Sequence, residues 1–305
     1  MIDSHILLLV VSLFMLILFG YIMKAAKVLD ESATKVINGI ITCLCMPCFL
    51  IMMAHDKPFN TDMVKVPFIT LAVELVIIAV AYFLGKAMKL ERATLGAFML
   101  VCAFTNSGYI GYPLVISVFH HSREAILAAV ILDQIITVIP ISSIGIAIAV
   151  AFAGGKCTTK TFFTFLKSPM FWSGVLSLVL RNVYIPEFLT TTMNYMSGAT
   201  IPLAMISIGL TLTPESLKGH VWAMALATFF KLFVYGTATF FILRACGYTG
   251  VVPKVAAVIA STPTGVLTAV VTGQYGGDQR FASAVVFITT LLSIITIPIV
   301  CGFVL

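Results

Sequence analysis

The sequence predicts an all-α integral membrane protein of ten transmembrane helices, arranged as a 5+5 inverted repeat in which helices four and nine are broken and cross. Three observations predict it. The chain of 305 residues is 60% hydrophobic and 10% charged with a mean hydropathy of +1.11, which leaves too little polar surface to cover a water-soluble body. Ten apolar runs approach the length of about 20 residues needed to cross about 30 Å of hydrocarbon. The second half also repeats the first: Met46-Pro47-Cys48 answers to Ile201-Pro202-Leu203, and Ile139-Pro140-Ile141 to Ile297-Pro298-Ile299. Because the runs are continuous rather than alternating, helices are favoured over a membrane barrel.

The expected spans, in order, are 6–23, 36–54, 66–86, 93–118, 125–152, 163–180, 194–213, 220–243, 254–275 and 281–304. The first resembles a signal peptide only superficially. Asp3 and His5 replace a basic leader, and no small-residue cleavage site precedes Lys24, so it is read as a retained span. The second and seventh carry Pro47 and Pro202 in register. The third and eighth carry Glu74 and Lys231 at equivalent positions with opposite charge. The fourth and ninth are interrupted, the fifth carries Asp133, and the sixth is weakened at its start by Lys167 and Pro169. Residues 1–153 form the first repeat and 162–305 the second, joined by the short loop from Gly154 to Thr161, with no soluble domain.

Basic residues set the orientation. With the amino terminus outside, the inner loops hold Lys24, Lys27, Lys35, Lys86, Lys89, Arg92, Lys156, Lys160, Lys167, Lys218 and Arg280, eleven in all. The outer loops hold Lys57, Lys65, Arg123, Arg181, Arg244 and Lys254, which is six. Both termini are therefore expected outside a plasma membrane. Five spans per half, an odd number, invert the second copy relative to the first. The net charge of +6 is scattered over these loops rather than gathered in a patch, so it argues for topology and against a nucleic-acid partner.

Function is written in the interruptions. Asn106-Ser107-Gly108-Tyr109-Ile110-Gly111-Tyr112-Pro113 breaks the fourth run, and Ser261-Thr262-Pro263-Thr264-Gly265 breaks the ninth, at bilayer depth and in register. Pro113 lacks a donor and obstructs the carbonyl of Tyr109. Unpaired backbone at that depth is tolerated only within protein or against a cavity, and paired interruptions in a duplicated membrane protein point to a transport site. Where the two broken helices cross, half-helix amino termini present free amides and partial positive charge, which suits an anion. Asn106, Ser107, Thr262 and Thr264 add hydrogen bonds, with Gly108, Pro113 and Pro263 shaping the backbone. A small carboxylate is the expected ligand.

The runs Asn106 to Leu114 and Ile201 to Gly209, with Pro263 and Tyr275-Gly276-Gly277-Asp278, resemble the auxin efflux carrier family, whose bacterial members include proteins described as malonate or other organic-acid carriers. The resemblance covers essentially the whole chain. It implies a fold related to bile-acid and sodium/proton antiporters, with substrate held where helices four and nine cross and with Asn106 as a contact. It also implies that Pro47 and Pro202 lie on a moving surface or cavity wall. The long mid-chain loop of plant members is missing, so auxin is a poor guess.

Glu74, Asp133 and Lys231 lie inside apolar spans, and intramembrane charges are functional candidates by default. Glu74 and Lys231 either serve the anion and a proton or only assembly. Asp133, with Gln134 beside it and Thr137 and Pro140 following, corresponds to the helix-five acid that binds the coupling cation in antiporter-type folds; here that ion is H+ or Na+. A structural role at a freed amide is the alternative.

Cys45-Met46-Pro47-Cys48 is formally a CxxC sequence with Cys43 nearby, but the repeat keeps the proline and replaces both cysteines, so these three, like Cys102, Cys157, Cys246 and Cys301, read as small buried hydrophobes. His120-His121 reads as a solvated turn. No phosphate loop and no HExxH motif is present; no catalytic residue, metal or cofactor is expected. The small-residue face from Gly145 to Ala149 suits packing within the chain or in a homodimer. The reading is a secondary carrier of a small organic anion working by alternating access. The alternatives are a sodium/proton-type ion antiporter and an uncoupled organic-anion uniporter.

Overall fold

The computed structural model describes residues 4–56, 59–211 and 219–304. Lys57 and Lys218, counted above as loop charges, lie outside them, as do Asp3 and residues 212–213 at the expected end of the seventh span. Every named element among the described residues is helical, and extended pairing is confined to one isolated bridge, Thr105 with Thr264.

The helices are α1 (Ser4–Ala25), α2 (Ser32–Ala54), α3 (Asp62–Ala87), α4 (Arg92–Ala103), α5 (Ser107–Val118) and α6 (Arg123–Phe152). They continue as α7 (Pro169–Val179), α8 (Glu187–Thr211), α9 (Val221–Ala245), α10 (Val251–Ala260), α11 (Val266–Gln274) and α12 (Gln279–Val304). The fourth expected span is thus α4 plus α5, and the ninth is α10 plus α11. Five helices, α2, α3, α6, α9 and α12, are long and apolar enough to cross a membrane, and α4, α5, α7 and α10 are shorter apolar helices. The protein is an all-helical integral membrane protein.

Two details differ from the sequence reading. The sixth expected span, 163–180, contains helix α7 only from Pro169 onward, after a 3-10 turn at Thr164–Lys167. Ser168 is extended and Pro169 occupies the first turn, as expected of a residue before proline and of proline at a helix start. Pro113 does not interrupt the fourth span. Three prolines, Pro47, Pro113 and Pro140, each lie two residues beyond a π-turn, at Ile41–Cys45, Ser107–Gly111 and Gln134–Val138. The widened turn accommodates the missing donor and the ring without ending the helix.

The helices pack in two groups. Helices α1, α2, α7 and α8 lie mainly against one another; α3–α6 and α9–α12 form the other group. Within the first, α1 and α8 touch backbone to backbone: a Cβ on Gly20 would stand 2.2 Å from the carbonyl oxygen of Ile206, and one on Gly209 would stand 2.1 Å from that of Ile17. Small residues permit such an approach, which is the main source of helix association in lipid. The Gly145–Ala149 face is buried inside the chain, with Gly145 beside Phe104.

Candidate functional site

The two interruptions meet each other. Helix α4 ends at Ala103 and Phe104 turns extended (φ −71°, ψ 129°). Asn106 N donates to Pro263 O at 2.9 Å, and Gly265 N donates to Phe104 O at 3.1 Å. Backbone groups that each broken helix would leave unpaired in hydrocarbon are therefore satisfied by the other. Gly265 is required by this approach, since a Cβ there would sit 2.7 Å from Thr105 O.

Thr262, Pro263 and Thr264 hold the contact. The Thr262 and Thr105 hydroxyls bond to each other and both reach Ile259 O, while Thr264 Oγ1 donates to Val101 O at 2.9 Å and Thr264 N to Thr289 Oγ1 at 3.2 Å. Their side-chain donors are committed within the protein.

Beside the contact lies a cavity of about 180 Å³ lined by Thr42, Thr105, Asn106, Gly108, Tyr109, Asp133, Thr137, Met170, Gly265, Val266 and Leu267, among others. It sits between the two helix groups: Thr42 and Met170 come from the first, the rest from the second. The amino ends of α5 and α11 converge on it through Gly108, Tyr109, Val266 and Leu267, and the first N–H groups of a helix have no intrahelical partner. Asn106 is buried, and its Nδ2 has no hydrogen-bond partner. A buried donor left unused is costly unless something accepts from it.

Asp133 lines the same cavity and is buried. Ser107 Oγ donates to its Oδ1 at 2.5 Å and the Tyr112 hydroxyl to its Oδ2 at 2.9 Å, with Thr137 Oγ1 2.8 Å from Ser107 Oγ. The carboxylate thus stands at the positive end of α5, where a negative charge is favoured. Gln134 points elsewhere. It packs against Gly174 of α7, and neither end of its amide has a partner.

Pro113 is buried in α5 and does not line the cavity, and Pro47 and Pro202 are half-buried in α2 and α8, which pack on each other. Glu74 and Lys231 are buried away from it. Tyr235 OH donates to Glu74 Oε2 at 3.3 Å, and Lys231 Nζ donates to Ala260 O at 2.7 Å. Cavity residues that sequence reasoning did not single out include Thr42 and Met170. No repeat or charge marked them; only the packing of α2 and α7 against the interruption selects them.

A wider vestibule of about 620 Å³ shares Thr42, Tyr109, Val266 and Leu267 with the cavity and carries Lys35, Asn38, Gln279 and Arg280. Two cations, Lys35 and Arg280, thus line the pocket that adjoins the cavity. Elsewhere the cysteines are all free; Cys45, Cys102 and Cys301 are buried as expected, whereas Cys43, on an outer face of α2, and Cys157 and Cys246, beyond helix ends, are exposed, and His120 and His121 occupy an exposed turn with left-handed backbone (φ 48° and 58°).

Comparison with known proteins identifies a membrane transporter. A family model described as a membrane transport protein matches residues 5–159 and 155–301. An uncharacterized transporter of Methanocaldococcus jannaschii is 29% identical over 293 residues, covering 93% of this chain and 94% of that one. One from Methanothermobacter thermautotrophicus is 26% identical, covering 95% of each. A Rhizobium meliloti protein named "putative malonate transporter" is 26% identical over 302 residues, covering 95% of this chain and 92% of its own. With a match across nearly its whole length, the chain belongs to the auxin efflux carrier family of membrane transport proteins.

Proposed function

We propose that the protein is a secondary transporter of a small organic anion, a carboxylate, working by alternating access around ten spans in a 5+5 inverted repeat. In this reading the fourth span (α4, α5) and the ninth (α10, α11) cross at the site. One observation carries it: Asn106, whose buried Nδ2 has no partner among the described residues, lines a cavity at which two half-helix amino termini converge. Amide donors and positive helix ends together select an anion. The Rhizobium relative is named for a dicarboxylate, which is consistent in chemical class.

Asn106, Gly108 and the free amides of α5 and α11 hold the substrate. Ser107 keeps Asp133 in place, while Thr262, Pro263, Thr264 and Pro113 preserve the backbone that aims those amides. Asp133 would repel an anion in so small a space, so it is the site where a coupling ion, H+ or Na+, binds with the substrate. The position of the cavity between two packing groups supplies the motion. Rigid displacement of α1, α2, α7 and α8 against the remainder, along the surface carrying Pro47 and Pro202, exposes the cavity to either side. Lys35 and Arg280 belong to loops expected inside, so the vestibule is the cytoplasmic mouth of a carrier in the plasma membrane.

Thermal unfolding of the purified protein with a panel of mono- and dicarboxylates tests this directly. A carboxylate should raise the midpoint, and Asn106→Ala should abolish the rise. Stabilisation by amines or neutral solutes alone overturns the substrate class. The presence of Asp133 in the cavity favours one competing reading, an ion antiporter. There, Asp133→Asn would abolish sodium or proton exchange and no organic anion would bind. Counterflow of labelled substrate in proteoliposomes separates a carrier from an open pore, because only a carrier accumulates label by exchange.

A further inference from the structure

Helix α10 stops in the interior of the protein, and the last four carbonyls of any helix have no intrahelical partner. Here each acceptor can be followed. Ala257 O receives Ser261 N (3.1 Å) and Ser261 Oγ (2.7 Å); Val258 O receives Ser261 N at 3.2 Å. Ile259 O receives Thr262 N at 3.0 Å as well as the hydroxyls of Thr262 and Thr105. Ala260 O, the last, receives Lys231 Nζ at 2.7 Å. That donor comes from α9, and Lys231 is fully buried.

The surroundings are built for this contact. Lys231 lies in a π-turn, Phe230–Val234, which no nearby proline requires; such turns re-aim side chains at functional places. Its ammonium stands 4.7 Å from the centroid of the Tyr235 ring, whose hydroxyl donates to Glu74 Oε2 at 3.3 Å. Gly236, next on the same helix, has no room for a Cβ, which would fall 1.7 Å from Ser261 Oγ. Helix α9 therefore presses a cation and a bare backbone onto the residues where α10 ends, and a cation is favoured at a helix carboxyl end.

We propose that Lys231 is a positioning residue of the transport site: its ammonium closes the carbonyl end of α10 and so keeps Ser261 to Gly265 unwound against Thr105 and Asn106. The transport arm of this inference rests on the carrier reading above; the structural arm does not. Lys231 touches neither cavity, so its effect on substrate passes through Asn106.

Hydrogen–deuterium exchange of the purified full-length protein in lipid nanodiscs, read at the amides of Asn106, Ser261, Thr262 and Gly265, tests it. Three variants are compared: Glu74→Gln, the pair Glu74→Gln with Lys231→Met, and the pair Glu74→Gln with Lys231→Gln. Removing both charges avoids stranding a buried Glu74. The Met pair should exchange at those amides about tenfold faster or more, as expected for losing a buried charged hydrogen bond. Glu74→Gln alone should match the wild type, and the Gln pair should fall between. In the Met pair, stabilisation by carboxylate should also be lost.

Equal exchange in the Met pair and the wild type overturns the proposal, as does an increase already complete in Glu74→Gln. If the Met pair does not fold, the Gln pair carries the comparison; failure of both, with Glu74→Gln folded, also overturns it by showing a general folding role. If the wild type itself responds to no carboxylate while the Met pair still exchanges faster, the carrier reading fails and the role of Lys231 stands.

Discussion

Asn106 shows how one side chain acquires a role. Its amide is a poor helix former in an apolar run, a property visible in the sequence, yet what marks it as the proposed binding group is that the hydroxyls of Thr105, Thr262 and Thr264 are committed and its own donor is not. A hydrogen bond from such a donor to a charged ligand contributes about 1.5–3 kcal/mol, so Asn106→Ala should weaken carboxylate binding about tenfold to a hundredfold, measured as the shift of a titration midpoint. Gly108 supplies a complementary test. A Cβ there would meet Met46 and Asp133 only at 3.7 and 4.0 Å, ordinary contact distances. Gly108→Ala should therefore fold normally and lose affinity through occupied cavity space. Unchanged affinity would place the ligand elsewhere. Asp133→Asn removes the charge and keeps one of the two acceptors, its NH2 donating to the other hydroxyl instead; transport should persist and lose its dependence on the coupling ion's gradient.

At the scale of elements, the fourth and ninth spans were identifiable as interrupted from Asn106-Ser107-Gly108 and Ser261-Thr262-Pro263 alone, because glycine, proline and small polar residues in an apolar run weaken a helix. Where the ladder actually stops was not legible. Pro113 looked like the breaker, but a π-turn absorbs it, and α4 ends earlier at Ala103, where its broken partner offers backbone groups in exchange. Close approaches were equally hidden. Gly20→Ala or Gly209→Ala should push α1 from α8 and destabilise the protein by about 1–3 kcal/mol, the usual scale of overpacking, read as a lower midpoint of thermal unfolding. A midpoint within error of the wild type would show that this contact is loose.

For the whole molecule, the distribution of basic residues makes a topological prediction. Cys246 lies in a loop expected outside and Cys157 in the loop joining the halves, expected inside, and both are exposed. A membrane-impermeant maleimide should label Cys246 in intact cells and Cys157 only after permeabilisation; the reverse pattern inverts the protein and the direction of its vestibule. Family membership accounts for the chain as a transport protein. The two packing groups and the cavity between them indicate which parts would move.

Composition, span length and duplication determined that the chain is a helical membrane protein with two matched interruptions, since hydropathy and helix-breaking chemistry are local properties that act wherever the chain lies. Tertiary structure alone decided which groups remain free. Thr262 and Thr264 spend their hydroxyls on the helix contact, Lys231 bonds to the last carbonyl of α10, Glu74 accepts from Tyr235, and Asn106 and Asp133 line the cavity. Whether a polar group binds a ligand or its neighbours depends on what stands within hydrogen-bond reach, and a residue list holds no distances.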